Sequence, residues 1–198
     1  MAHISAVLTA AGESTRMGRP KPMLPWHDLP LLQYQIRSLT RAGVSEIVVV
    51  LGHKADAVGS LATGCGVRCV TNPHYRLGKT GSIKVGLENV DENASTVLIL
   101  AVDQPRTSEI IGMVVQAHVE NNALITSPQF QGHGGHPLAF SFSLKPELLQ
   151  ISEANKGIRE VILAHRDAVT EIEIADPLVR LDLNTIEDYD DAKRRFEA

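Results

Sequence analysis

Short runs of β-branched and aliphatic residues alternate along the chain with segments whose apolar positions repeat every three or four residues. That alternation is the signature of βαβ units and a mostly parallel sheet. His3–Thr9 reads as the first strand, and a loop of small residues at Ala10–Pro25 separates it from a helix over Leu31–Ala42, which Gly43 closes. Glu46–Leu51 (EIVVVL) follows as a buried strand, then a short helix at Ala55–Ala62 and a strand at Val67–Thr71. Asn72–Thr80 reads as a loop, and Ile83, Leu87 and Val90 place a helix over Ser82–Val90. Thr96–Val102 (TVLILAV) is the most apolar run and carries no charge, which suits a central strand covered on both faces. It ends at Asp103-Gln104-Pro105, where proline stops the ladder.

The second half follows the same grammar. Thr107 is placed as the N-cap of a helix to about Asn121. Ala123–Ser127 and His136–Phe142 read as strands flanking the glycine-rich Gln131–Gly135, so mixed strand direction is expected there. Helices near Glu147–Ile151 and Gly157–His165 and strands at Thr170–Ile174 and Val179–Leu183 come next. The last helix starts at Thr185, with Asp188 as capping-box partner, and runs to the C-terminus. The expected fold is a three-layer α/β/α, Rossmann-like domain with a mostly parallel, mixed sheet. No repeat or linker divides it, so residues 1–198 are expected to form one domain.

Composition narrows the function classes. With 43% hydrophobic and 21% charged residues, the chain can bury a real core and is too apolar to be disordered. A net charge of −4 offers no basic field for nucleic acid or anionic membrane. No apolar run approaches the ~18 residues of a membrane span. Met1–Thr9 lacks Lys and Arg and does not read as a signal peptide. Cys65 and Cys69 are too few for a disulfide scaffold or a four-thiolate zinc site. A cytoplasmic protein is expected.

In open α/β sheets ligands bind beyond the carboxyl ends of the strands, so the segment Thr9–Lys21 is the first candidate site. Its small residues let backbone N–H groups approach an anion, and Arg16, Arg19 and Lys21 add cations suited to a polyphosphate. A mobile loop with solvated charges has the same composition. Two familiar phosphate motifs fail here. Gly12 and Gly18 are too far apart for the dinucleotide fingerprint, and Leu51-Gly52 stands where its acidic residue belongs. Gly78-Lys79-Thr80 has the tail of a Walker A motif, but Pro73 replaces its first glycine, so it reads as a decoy.

The stretch T-A-A-G-x-S-x-R-M-G-x-x-K-x-M-L-P-W, Thr9 through Trp26, resembles the signature of the MobA-like nucleotidyltransferases, and more narrowly of the molybdenum cofactor cytidylyltransferases. The similarity continues through Asn72-Pro73-x-Tyr75-x-x-Gly78-x-x-x-Ser82, Asp103-Gln104-Pro105, Gly135-His136-Pro137 and Leu181-Asp182-Leu183-Asn184-Thr185. It implies a Mg²⁺-dependent enzyme joining CTP to molybdenum-bound molybdopterin, giving the cytosine dinucleotide and pyrophosphate, with a molybdenum hydroxylase as recipient. Alternatives are GTP as donor, a sugar phosphate or methylerythritol phosphate as acceptor, or a carrier that hands on the cofactor without turnover. Choice of CTP rests on Ala10-Ala11, where guanylyltransferase relatives carry Ala-Gly.

By the same resemblance, Thr9–Gly12 line the nucleotide, while Arg16 and Lys21 neutralise its phosphates and Lys21 stabilises the leaving pyrophosphate. Arg19 falls at an open position and reads as a solvated charge. Asp103 is the expected magnesium ligand, a hard carboxylate at the mouth of a buried strand, against the alternative of a turn-forming Asp. Asn184 stands at a second metal position where many relatives have Asp, with Asp182 as the fallback on the same strand face. Ser82 either contacts the nucleotide or caps its helix. Gly135 and His136 are expected near the acceptor, His136 touching its phosphate or ordering the preceding loop. His133 and His136 lie three apart on a strand-like segment and point to opposite faces, so they do not read as a metal pair. The nucleotide half is expected at about 1–105 and the acceptor half at about 106–198.

Overall fold

The computed structural model describes residues 2–196. Met1 of the N-terminal segment and residues 197–198 of the expected last helix lie outside them. In chain order the elements are β1 (Ile4–Ala10), β2 (Pro25–Trp26), β3 (Leu29–Pro30), α1 (Leu31–Arg41), β4 (Glu46–Leu51), α2 (Ala55–Ser60) and β5 (Arg68–Thr71). Then come α3 (Lys79–Leu87), β6 (Thr96–Ala101), α4 (Ser108–Glu120), β7 (Ile125–Phe130), β8 (His133–Gly134) and β9 (Leu138–Ser141). The last are α5 (Lys145–Leu148), α6 (Ile158–Ala164), β10 (Val169–Glu173) and α7 (Ile186–Phe196).

One eight-stranded sheet runs in the order β10-β7-β9-β6-β1-β4-β5, with β8 paired to β7. β9 and β8 run against the other strands, which is the mixed direction expected of the second half. Period-two alternation sends the two faces of each central strand into separate cores. From β1, Ala6, Leu8 and Ala10 meet α1, α4 and α7, while Val7 faces α3. From β6, Leu98 and Leu100 join the first core, and Val97 and Ile99 join the second with α5 and α6. The uncharged TVLILAV run thus fills the middle of a three-layer α/β/α structure, where a strand has no solvent face.

Connections from β1 go first to β4 and β5 on one side, then return through α3 to β6 on the other. That reversal opens a crevice beyond the carboxyl ends of β1 and β6, the standard place for a ligand in such sheets. α3 reaches it by lying close to β1: a Cβ on Gly86 would collide with Val7 Cγ1. Gly86→Ala is therefore expected to destabilise the protein by about 1–3 kcal/mol through overpacking, read from urea midpoints. An unchanged midpoint would show that the helix can shift away.

Three sequence readings are corrected. Val179–Leu183 is not a strand; Pro177–Arg180 forms a 3₁₀ turn, and the Val179 and Leu181 carbonyls bind side-chain donors instead of a ladder. α3 begins at Lys79, so Ser82 lies inside the helix and cannot be its cap. β7 passes through Pro128 and ends at Phe130. The proline is tolerated there because it falls between the residues paired to β9 and those paired to β8. By contrast, Thr107 caps α4 by accepting from Ile110 N–H, and Thr185 and Asp188 form the expected reciprocal box.

Candidate active site

The crevice between β1 and β6 is a cavity of about 420 Å³. Thr9, Ala10, Ala11 and Gly12 line it from the end of β1, and Arg16 and Lys21 from the following loop. Ser82 of α3, Asp103 after β6 and Asn184 before α7 complete the set, so residues spread over the whole chain meet at one place. Gly135 and His136 lie elsewhere, in an adjoining cavity of about 520 Å³. Arg19 and Asp182 are exposed and line neither. Loss of the expected strand at Val179–Leu183 removes the reason to place Asp182 beside Asn184.

The loop is held rigidly for something so polar. Ser14 adopts a left-handed conformation (φ 55°), and its Oγ accepts from Lys21 N–H at 3.0 Å, closing the loop on itself. Met17, Leu24 and Trp26 bury their side chains beneath it, in the core shared with α1 and α7. Tyr189 of α7 donates its hydroxyl to the Pro25 carbonyl, tying the loop's exit to the last helix. Lys21 is thereby aimed at Asp103, and its Nζ donates to Oδ2 at 2.6 Å. The Lys21 side chain is only 12% exposed and that of Asp103 26%, so the pair is partly withdrawn from water and weakly screened.

Asp103 and Asn184 are brought together by backbone: Leu183 N–H donates to the Asp103 carbonyl at 2.9 Å. A carboxylate and an amide oxygen make a hard donor set, suited to a cation that takes its other ligands from phosphate and water. Among the described residues no group of three or more His, Cys, Asp or Glu could hold a metal by itself. Ser82 accepts from Asn72 Nδ2 at 3.0 Å in a buried contact, which leaves its own O–H as a donor. At the rim, Arg76 donates to Glu13 at 2.7 Å and holds that carboxyl below its ordinary range.

Lys79 is the residue on this wall that the pattern discounted, and it lines both cavities. Gly78-Lys79-Thr80 does open a helix at the carboxyl end of the sheet. Its Thr80 N–H, however, is taken at 2.7 Å by the Glu153 carboxylate, so that helix end already holds an anion.

Arg106 is wholly buried, and among the described residues no carboxylate forms an ion pair with it. Its guanidinium donates to four carbonyls, those of Pro105, His136, Val179 and Leu181, all at 2.8–2.9 Å. Burial pushes its pKa down to about 10, still far above neutral pH, so it stays a cation. It binds the Gly135-His136 segment and the Val179–Leu181 turn to the end of β6, and so fixes where Asn184 enters the crevice. No local signal in the sequence distinguishes this arginine from a surface one.

The tautomer of His136 follows from a chain of donors. Ala101 N–H can only donate, and it does so to Gln104 Oε1 at 3.1 Å. The Gln104 amide nitrogen therefore faces His136 Nδ1, 3.1 Å away, and Nδ1 must accept. The proton sits on Nε2. Burial, then the charges of Arg106 and Lys79, push the His136 pKa down from 6.5 to about 4, so the ring is neutral in the physiological range. Between those values the unfolded chain binds a proton that the folded ring refuses, and this contribution to stability is lost as pH falls through the window. Gln104→Glu should place a carboxylate on Nδ1 and raise the His136 pKa by about 1–3 units. Imidazole nitrogen NMR at pH 5 is expected to show mainly neutral, Nε2-protonated rings in the wild type and at least about half imidazolium in the variant. The same spectrum for both would refute the assignment.

Comparison with known proteins agrees with this architecture. The chain is 29% identical to the "Molybdenum cofactor cytidylyltransferase" of Escherichia coli K12, over 99% of this chain and 98% of that one. It is 27% identical to the "Nicotine blue oxidoreductase" of Paenarthrobacter nicotinovorans, over 93% of each. Among solved structures, Rv0371c of Mycobacterium tuberculosis H37Rv superimposes with a TM-score of 0.84 at 28% identity, covering 100% of this chain and 99% of that one. A second structure of that protein is a complex with manganese. The family model described as a MobA-like NTP transferase domain matches residues 6–169, and with the β1–β6 crevice assembled as above, the chain belongs to that family of nucleotidyltransferases.

Proposed function

We propose that this protein is a Mg²⁺-dependent cytidylyltransferase that joins CTP to the terminal phosphate of molybdenum-bound molybdopterin. The products are molybdopterin cytosine dinucleotide and pyrophosphate. The observation that carries this reading is the Lys21–Asp103 pair at the β1/β6 switch point, with Arg16 and Thr9–Gly12 lining the same cavity. Its substrates follow the E. coli relative that it matches over nearly full length.

In the step, an oxygen of the acceptor phosphate attacks the α-phosphorus of CTP, a new P–O–P link forms, and the bond to the β-phosphate breaks. Such transfers need positioning and charge neutralisation more than covalent work by the protein. Lys21 would move its ammonium from Asp103 onto the triphosphate and follow the charge to the leaving pyrophosphate. Arg16, with no carboxylate in an ion pair with it among the described residues, would meet the same phosphates from the rim. Thr9, Ala10, Ala11 and Gly12 would receive base and sugar, the Ala11 methyl beside Gly52 narrowing that end for a pyrimidine. Ser82 would offer its O–H to the nucleotide. Asp103 and the Asn184 oxygen fit a magnesium ion, which when bound would neutralise charge on the triphosphate.

Gly135 and His136 would face the acceptor in the adjoining cavity, the neutral ring donating from Nε2. The chain would work as one domain, with nucleotide contacts concentrated in residues 1–105 and acceptor contacts in 106–198. Among the described residues no helix is long and apolar enough to cross a membrane. A cytoplasmic enzyme handing its product to a molybdenum hydroxylase is the setting we propose. Pyrophosphate release measured in Mg²⁺ with loaded molybdopterin should occur with CTP and not with GTP, ATP or UTP. Release with GTP would refute the base assignment, and release with none would refute the acceptor.

A further inference from the structure

The adjoining cavity shares Thr9, Lys79 and Ala101 with the nucleotide crevice, so a molecule in one abuts a molecule in the other. Its walls are aliphatic, with Ile83, Ile99, Leu138, Ile158 and Ile162 facing in. Lys79, Lys156 and Arg159 also line it, and no Asp or Glu does. None of the three belongs to an ion pair among the described residues. For a chain of net charge −4, three cations and no carboxylate lining one apolar cavity run against the average. Like charges gathered over low-dielectric walls focus a field that attracts anions.

Their placement is built rather than incidental. Lys156 is held in a left-handed conformation (φ 70°), in a turn closed by Gly157 N–H donating to the Ser152 carbonyl at 2.8 Å. That turn is docked on α3 by the Glu153 carboxylate, which accepts from Thr80 N–H, one residue beyond Lys79. So the element that carries Lys156 and leads to Arg159 is pinned to the end of the helix that carries Lys79. A non-glycine residue in this backbone region persists where surrounding contacts over-determine it.

We propose that Lys156 and Arg159 recognise a second anionic group of the acceptor, separate from the phosphate that reacts. Lys79, at the junction of the cavities, meets the reacting phosphate. The acceptor is therefore an anion at both ends, with a body gripped by aliphatic side chains. A small phosphorylated acceptor with a neutral remainder leaves two of the three cations unused. This rests on reading the protein as a nucleotidyltransferase with a phosphorylated acceptor.

Two readouts test it, using Lys156→Ala with Arg159→Ala as a double variant and Lys156→Arg with Arg159→Lys as the charge-retaining control. Both positions are exposed, and equal melting temperatures check folding. With molybdenum-loaded molybdopterin, the alanine variant should raise the acceptor KM by about tenfold or more with kcat and the CTP KM little changed, and the control should restore it. Where the wild type turns over, an unchanged acceptor KM overturns the proposal and leaves the proposed function standing. Where the wild type releases no pyrophosphate with any nucleotide, the proposed function falls, and titration with anilinonaphthalene sulfonate, an apolar body with one anionic group, decides. At least about a tenfold loss of dye affinity in the alanine variant, restored by the control, supports the cradle. Matching titration curves for wild type and alanine variant overturn it.

Discussion

Asp103→Asn should lower turnover by about a hundred- to a thousandfold, the scale seen when one preorganised electrostatic partner of a transition state is lost. The substitution is nearly isosteric. Asp103 keeps its place through its backbone, whose carbonyl accepts from Leu183 N–H, so the crevice should retain its shape. What disappears is the charge that orders Lys21 and offers a hard ligand to a divalent cation. Steady-state pyrophosphate release measures the loss, and an unchanged melting temperature assigns it to chemistry. A carrier that only binds and delivers a finished cofactor would keep its delivery function in this variant, which separates the two classes of activity.

Lys21→Met should also cut kcat, by about a hundredfold or more, because the ammonium that follows charge to the leaving pyrophosphate is gone. A second effect has the opposite sign. Lys21 Nζ lies 2.6 Å from Asp103 Oδ2 and competes with any cation for that oxygen. Removing a positive charge at this distance favours a new cation on the carboxylate. Mn²⁺ titration without nucleotide, followed by electron paramagnetic resonance, should therefore show tighter binding to Lys21→Met than to wild type. Weaker binding in the variant would mean that Lys21 organises the carboxylate for metal instead of occupying it.

Asp103 could be placed from the sequence by the strongly patterned strand that it follows, and Lys21 by the small, cationic loop after β1, while the roles expected of both came from the family resemblance. An unbroken apolar run with no charge marked β6 as central, and its last residues had to emerge at the carboxyl edge of the sheet. The small residues and cations after β1 pointed to the same edge. Local capping chemistry was equally readable at Thr107 and at Thr185 with Asp188, where both partners lie within a few residues.

What stayed hidden depends on distant partners. The start of α3 at Lys79 is set in part by Glu153, whose carboxylate takes the N–H of Thr80, 73 residues away. Val179, Leu181 and Leu183 alternate as a strand would, yet Arg106 claims the Val179 and Leu181 carbonyls. Nothing near Arg106 in the sequence announces that it is buried. The second cavity likewise joins residues from α3, β6, β7 and α6 that no local pattern connects. Lys79 was set aside with the incomplete phosphate motif, and its place on the wall of both cavities emerges only from the fold.

Label transfer from CTP carrying a radioactive α-phosphate tests the central claim most directly. With Mg²⁺ and molybdenum-loaded molybdopterin, the wild type should move the label into a new dinucleotide and release unlabelled pyrophosphate in equal amount, and Asp103→Asn should do neither at a comparable rate. Label that stays in CTP, or that appears only as free CMP with the acceptor unchanged, would contradict the account.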